Sequence, residues 1–332
     1  MEQKNLISLT MFDLLKGTLM LVVVLRHSII WDVNGQLVWR ILYSVMMPVC
    51  FVTSGYWLKK RKCKAGLESS VKFLLKPFLI VMLIINGVGA VHRLLLHNIH
   101  EWLEVFLIPT LCVKSGEQTR IGAMWFVFAL FLSWCLFYIV INRWERKLQM
   151  AAALLCGGVC GVTMPWQLPF QISQGLGGFF LVYGGYTIKK EKLLEKKLPF
   201  WCYLAMVLLW SLSIWYGSMD FAMYDIRYGL FSLAGSLCGS FLVIKVFLYL
   251  NCLENRVFDM VRWMGRYSMW ILCIHSVEWA VVPWSVLFAF VPQETWVGAG
   301  AQFVLRWIFI GCACQCLVIW QNYRSRSARA GH

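Results

Sequence analysis

Apolar runs of nearly membrane-spanning length recur along the whole chain, and they limit what it can fold into. A helix that crosses a bilayer needs about 20 mostly apolar residues. Only 14% of the 332 residues are charged, whereas soluble domains contain about 25%. The chain is therefore predicted to be an all-α, polytopic membrane protein with about ten transmembrane helices. The predicted helices lie near 12–31, 37–58, 77–97, 121–142, 148–165, 172–188, 198–217, 226–250, 265–286 and 296–320.

Basic residues are distributed unevenly between these helices. If the N-terminus is cytoplasmic, the inner segments hold 23 of the 31 Lys and Arg residues, as the positive-inside rule requires. This arrangement also places the C-terminus in the cytoplasm, and it explains the net charge of +15 without a nucleic-acid partner. We expect one domain over 1–332 in the inner cell membrane, with 1–11 as a cytoplasmic N-terminus and 321–332 as a basic cytoplasmic tail.

The first apolar run is not predicted to be a cleaved signal peptide, because it is too long and contains ionisable residues. These are Asp13, Lys16, Arg26 and His27. Lys16 and His27 are eleven residues apart, which on an α-helix gives three turns plus about 20° and a rise of about 16 Å. Both side chains are therefore expected on one face. Lys16 would lie at the cytoplasmic boundary, paired with Asp13, and His27 beyond the midplane.

This shared face has more than one interpretation. A cation at the cytoplasmic mouth could hold a large anionic cosubstrate whose reactive tail reaches His27 as a general base. Lys16 could instead snorkel to the interface while His27 makes a structural hydrogen bond. The charges could also line the path of a glycan exporter, or the chain could be a non-enzymatic partner of a polysaccharide synthase. The shared face of Lys16 and His27 favours the enzyme.

The same residues resemble the acyltransferase 3 family of multi-pass membrane O-acyltransferases. The first helix of that family reads Asp-x-x-Arg/Lys-Gly, then an apolar run and His, and residues 13–27 match this pattern. The segment Met47–Gly55 resembles the motif of the second helix, and Lys72–Pro77 resembles the basic loop and the proline that opens the third. Further similarities follow in the order of the family: Trp125-Phe126, residues 168–186, which look like the fucose O-acetylase-like branch, and Gly265–His275.

The resemblance implies transfer of an acyl group, usually acetyl from cytosolic acetyl-CoA, to a hydroxyl of a cell-surface or lipid-linked glycan. Such transfer from a thioester to an alcohol needs a base and stabilisation of the oxyanion. His27 is the candidate catalytic residue, either as the base or as a covalent acyl acceptor. Lys16, Lys72 and Lys76 are candidates for binding the CoA phosphates, and Asp13 would orient Lys16.

Four further residues are assigned supporting roles. His275 and Glu278 are one turn apart on the ninth predicted helix, and we expect them to form a hydrogen-bonded pair within the bundle. Ser54 either lines the cavity or bonds its own backbone, and Trp125 is expected to pack. Acyl-CoA, a glycan acceptor and the bilayer are the expected partners. No metal site is predicted, because the thirteen cysteines lie mostly in apolar runs as small apolar side chains. No oligomeric state is indicated.

Overall fold

A computed structural model describes residues 9–29, 36–95, 99–114, 120–287 and 294–330. Within these ranges every regular element is a helix, and one isolated bridge joins Asp220 to Asp225. The first half contains α1 (Leu9–Ser28), α2 (Leu37–Trp57), α3 (Cys63–Leu95), α4 (99–112), α5 (Met124–Arg143) and α6 (Arg146–Thr163). The second half contains α7 (Ile172–Lys190), α8 (Phe200–Tyr216), α9 (Leu230–Leu250), α10 (Arg256–Arg266), α11 (Ser268–Val281) and α12 (Trp296–Ala330).

Among the described residues, six helices are long and apolar enough to cross a membrane: α2, α3, α5, α6, α9 and α12. The apolar helices α8 and α11 are shorter. The remaining long helices, α1 and α7, lie inside the bundle, with most of α7 buried. The predicted fold class is confirmed as an all-helical, polytopic membrane architecture. The number of crossings and the side of each terminus stay predictions.

Helix α7 is central, and it packs against α2, α5 and α6. Its contact with α2 depends on two glycines. A Cβ at Gly55 would lie 1.9 Å from the carbonyl oxygen of Val182, and a Cβ at Gly185 would lie 2.0 Å from that of Val52. The two backbones therefore touch directly, the small-residue packing that is typical of membrane helices.

The third helix begins earlier than predicted. Residues 59–76 were expected to form a basic loop, but the chain is helical from Cys63 and continues through Pro77. A π-helical turn at Val71–Leu75 makes this possible. Proline lacks an N–H and clashes with the carbonyl one turn earlier, and a wider turn relieves that clash. The same device recurs in α4, where the π-helical turn Leu103–Leu107 precedes Pro109.

The C-terminal third also differs from the prediction. The single helix expected over 265–286 is divided at Tyr267, which has φ −100° and ψ 17°, and α11 ends at Val281, two residues before Pro283. The amphipathic helix α10 was not predicted. Helix α12 continues to Ala330 and has 35 residues, a length of about 52 Å, so most of the expected C-terminal tail is helical.

Candidate active site

Helix α1 carries the predicted cation and the predicted histidine. It is unbroken from Leu9 to Ser28, so Lys16 and His27 keep the separation of about 16 Å along the axis that was predicted. The Lys16 ammonium lies 2.9 Å from the Asp13 carboxylate, which confirms that pair, and Nε of Arg266 lies 4.0 Å from the second oxygen of Asp13. The Lys16 side chain keeps 37% of its surface exposed.

A close crossing with α10 fixes the position of this ion-paired end. A Cβ at Gly17 would lie 2.0 Å from the carbonyl oxygen of Val261, and a Cβ at Gly265 would lie 1.6 Å from that of Asp13. Each helix therefore presents a glycine to the backbone of the other. The glycine that follows Lys16 in the sequence motif thus has a structural reason, since a larger residue would separate α1 from α10.

The opposite end of α1 brings His27 against α11. The imidazole ring of His27 lies 5.1 Å from that of His275 and 5.6 Å from the ring of Trp279, measured between ring centroids. His27 is partly buried, whereas the side chain of His275 is only 2% exposed. Two imidazoles that are 248 positions apart in the sequence therefore share one small space.

The second imidazole is held by a buried carboxylate. Nδ1 of His275 lies 2.7 Å from Oε1 of Glu278, which confirms the predicted pair. A carboxylate can only accept, so Nδ1 carries the proton and, in the neutral ring, Nε2 keeps its lone pair. That Nε2 is buried and has no hydrogen-bond partner among the described residues. The arrangement gives His275 a fixed tautomer with a free basic nitrogen.

An arginine that was not predicted as a site residue completes this cluster. Nη1 of Arg306, on α12, lies 3.0 and 3.3 Å from the two carboxylate oxygens of Glu278, and Nε1 of Trp284 also donates to that carboxylate. Arg306 is 3% exposed and Glu278 is fully buried. A buried charge needs a partner and hydrogen bonds, and Glu278 has both. An arginine within an apolar run usually faces a partner or a polar cavity. This sequence signal could have identified Arg306.

The neighbouring cation, Arg26, contributes to packing at this end of α1. Its Nε donates to the hydroxyl of Tyr43 on α2, and Nη1 donates to the carbonyl of Ile29 at 3.2 Å. The bond to Tyr43 fastens the last turn of α1 to α2 and thereby helps to hold the adjacent His27 in place.

Two of the supporting residues lie elsewhere in the bundle. The Ser54 hydroxyl accepts a hydrogen bond of 2.7 Å from Nε1 of Trp134, so it ties α2 to α5. Trp125 is buried at the beginning of α5, and its ring lies 6.1 Å from that of Phe126, edge on. Both residues are engaged in helix packing.

The two predicted donor-binding lysines, Lys72 and Lys76, lie on the third helix, whereas Asp13 and Lys16 lie on α1. Lys72 and Lys76 are exposed on α3. They line a shallow depression whose walls come from α3 itself, namely Cys63, Lys64, Leu67, Glu68 and Val71. Their contact with a donor stays a prediction.

Comparison with protein-family models matches residues 10–321 to the acyltransferase domain of the acyltransferase 3 family. The matched range includes Lys16 and His27 of α1 and the cluster around Glu278. No curated protein and no solved structure matches the chain significantly. Because the family model covers nearly the whole chain, the protein belongs to the acyltransferase 3 family and is a membrane acyltransferase.

Proposed function

We propose that the protein is an O-acyltransferase of the inner cell membrane. It moves an acyl group, acetyl in the first instance, from cytosolic acyl-CoA to a hydroxyl of a cell-surface or lipid-linked glycan. One observation carries this proposal: a single rigid helix has an ion-paired lysine at one end and, about 16 Å away, a histidine that faces a second, carboxylate-held histidine.

The cytosolic end is suited to the donor. The Lys16 ammonium is held by Asp13 yet remains partly exposed, so it can still meet an anion from the aqueous side. Arg266 adds a second cation beside the same carboxylate. Phosphate groups bind lysine as a point charge and arginine through its planar fork. Lys16 is therefore our first candidate for contact with the CoA phosphates, and the pantetheine arm would extend along α1 towards His27.

Direct transfer needs one base. His27 accepts the proton of the acceptor hydroxyl while the hydroxyl oxygen attacks the thioester carbonyl. The tetrahedral intermediate then collapses, the C–S bond breaks, and the CoA thiolate leaves with the proton from the imidazolium. An ester C–O bond has replaced the thioester bond, and His27 is neutral again.

Transfer through an acyl-enzyme needs two bases, and two imidazoles are present. A nitrogen of His27 attacks the thioester carbonyl, and the C–S bond breaks as the CoA thiolate leaves. Nε2 of His275 then takes the proton of the acceptor hydroxyl, whose oxygen attacks the acyl carbon. The ester forms, the C–N bond breaks, and the proton passes to solvent. The ring separation of 5.1 Å supports this route as well as the direct one.

Mass spectrometry of surface glycans tests the function. Cells that produce the wild type should carry an acyl mass that is lost with His27→Ala and reduced or lost with Lys16→Ala, because a positioned general base contributes about 10²-fold or more. His92→Ala removes an exposed histidine from α3 and should leave acylation intact. Unchanged acylation in His27→Ala, with the protein present in the membrane, would refute the mechanism and favour an exporter or a synthase partner.

The same assay tests whether Lys72 and Lys76 contribute to donor binding. Lys72→Ala and Lys76→Ala should lower acylation only if the depression on α3 contributes to donor binding. A loss as large as that of Lys16→Ala would place the CoA phosphates on α3, whereas wild-type acylation in both variants would leave Lys16 as the donor cation.

A further inference from the structure

A segment just before α5 lies against the same turn of α11 that faces His27. Gly122 has φ +57°, and a Cβ on it would lie 3.5 Å from Cα of Ser276 and 3.5 Å from Cε3 of Trp279. This contact brings the guanidinium carbon of Arg120 to 5.6 Å from the ring centroid of Trp279. The imidazole of His27 also lies 5.6 Å from the ring of Trp279, measured between ring centroids. Trp279 is therefore close to both a cation and the candidate catalytic histidine.

The charge of Arg120 is not matched by an ion pair among the residues that the structure describes. Burial lowers the pKa of Arg120, the nearby Arg93 lowers it further, and Glu101 raises it. Glu101 is already engaged, because it lies 2.6 Å from Nη2 of Arg93. Two guanidinium groups thus share one carboxylate. Within the described part of the chain, no carboxylate lies within ion-pair distance of Arg120.

We propose that Arg120 and Trp279 form the acceptor subsite, and that the acceptor sugar carries a carboxylate or a phosphate. A guanidinium stacked on an aromatic ring keeps its in-plane N–H groups free for a two-point bond to such an anion. The two separations of 5.6 Å together bound the distance from Arg120 to His27 at about 11 Å. One sugar ring with a hydrogen bond at each end spans up to that length, so an anion on Arg120 can place a hydroxyl at His27.

This inference rests on the proposed function and deepens it. The donor phosphates are assigned to the opposite end of α1, about three helical turns away, so Arg120 is not needed for them. A cation within about 11 Å of His27 that forms no ion pair with any described carboxylate is instead suited to the second substrate. A sugar carboxylate and a sugar phosphate offer the same chemistry to a guanidinium, and the experiment below separates them.

Tandem mass spectrometry of the acylated glycan from wild-type cells tests the proposal without any variant. The acyl group should sit on a sugar that itself carries a carboxylate or a phosphate, and the fragment masses identify which anion it is. An acyl group on a neutral sugar would overturn the inference and leave the proposed function intact. Absence of any acyl mass compared with cells lacking the protein would overturn both.

Variants add a second readout. Arg120→Gln should lower glycan acylation about tenfold or more, since each factor of ten corresponds to about 1.4 kcal/mol and a charge-assisted contact contributes at least that much. Arg227→Gln removes an exposed arginine that the topology predicts on the same side, and it should acylate normally. Equal acylation by Arg120→Gln and the wild type would overturn the proposal. If Arg120→Gln does not accumulate, the position of the acyl group in the wild type decides.

Discussion

Glu278 holds Nδ1 of His275 at 2.7 Å, and both side chains are buried. A carboxylate in this position fixes the tautomer of the imidazole and stabilises the imidazolium that forms during proton transfer. For the acyl-enzyme route, in which His275 is the second base, we expect Glu278→Gln to lower kcat about 10²-fold or more, with little change in KM for acyl-CoA because Glu278 lies far from Lys16. Steady-state kinetics of the purified protein measure both constants. Glu254→Gln, at an exposed carboxylate, is the control, and a change confined to KM would contradict this role.

The ion pair between Glu278 and Arg306 predicts a different outcome for stability. Arg306→Met leaves a buried carboxylate without its cation, which costs about 3–5 kcal/mol. The double variant Glu278→Gln with Arg306→Met removes both charges and should recover much of the lost thermal stability, because neutral buried groups no longer need a counter-ion. Acyl transfer should stay low in the double variant. Thermal unfolding in detergent measures stability, and an activity assay is run on the same samples. If the stability losses of the two single variants simply add up in the double variant, the pairing is contradicted.

The glycine contact between α1 and α10 predicts that a glycine-to-alanine change lowers stability at Gly265 and leaves it unchanged at Gly300. Gly265→Ala places a methyl group 1.6 Å from a backbone oxygen of Asp13, so the helices must separate, at a cost of about 1–3 kcal/mol or more. Transfer activity should fall as well, since Asp13 holds Lys16. Gly300→Ala is the matched control, because nothing lies within 4 Å of a Cβ there. Similar melting temperatures for the two variants would show that the crossing tolerates a side chain.

Asp220, in the loop between α8 and α9, predicts that the stability of the folded protein depends on pH. Burial raises the pKa of its carboxyl above the ordinary value, although the N–H groups of Met223 and Ala222 donate to it. The folded protein then binds this proton more tightly than the unfolded chain does, so stability is lost as the pH rises from about 4 through the raised value. Asp220→Asn keeps an accepting oxygen and removes the charge.

The melting temperature of Asp220→Asn, relative to the wild type, should therefore be higher at pH 7.5 than at pH 4. Differential scanning fluorimetry at both values measures this difference. Glu254→Gln removes an exposed carboxylate outside this loop and controls for the loss of one negative charge. A melting-temperature difference for Asp220→Asn that does not change with pH would contradict the assignment.

The helical segments could be predicted because each is an apolar run bounded by charges, and each of the ten predicted positions overlaps a helix within the described residues. The predictions were wrong at particular segments, namely α10 and the beginning of α3. Helix α10 is too charged to read as a span, and its Asn255 cap, whose side chain accepts from Phe258 N–H at 2.9 Å, is a signal that hydropathy ignores. The extension of α3 past Pro77 required a π-helical turn, which no composition indicates.

The candidate site was predictable where its residues lie on one helix. Asp13 pairs with Lys16 as the spacing of three residues requires, and Glu278 pairs with His275 for the same reason. The approach of His27 to His275 and the role of Arg306 depend on how α1, α11 and α12 pack. A spacing rule holds within an element and gives no distance between elements, so these contacts needed the structure.

The unbroken course of α1 fixes the distance between Lys16, the proposed donor cation, and His27. For a donor anchored by its phosphates at Lys16, the thioester carbon meets His27 only if its tether spans about 16 Å. A thioester on a shorter tether cannot satisfy both ends at once, whatever acyl group it carries. The fold would thus sort donors by the length of their arm before any chemistry begins, and one extra residue within α1 would turn the histidine by about 100° out of their reach.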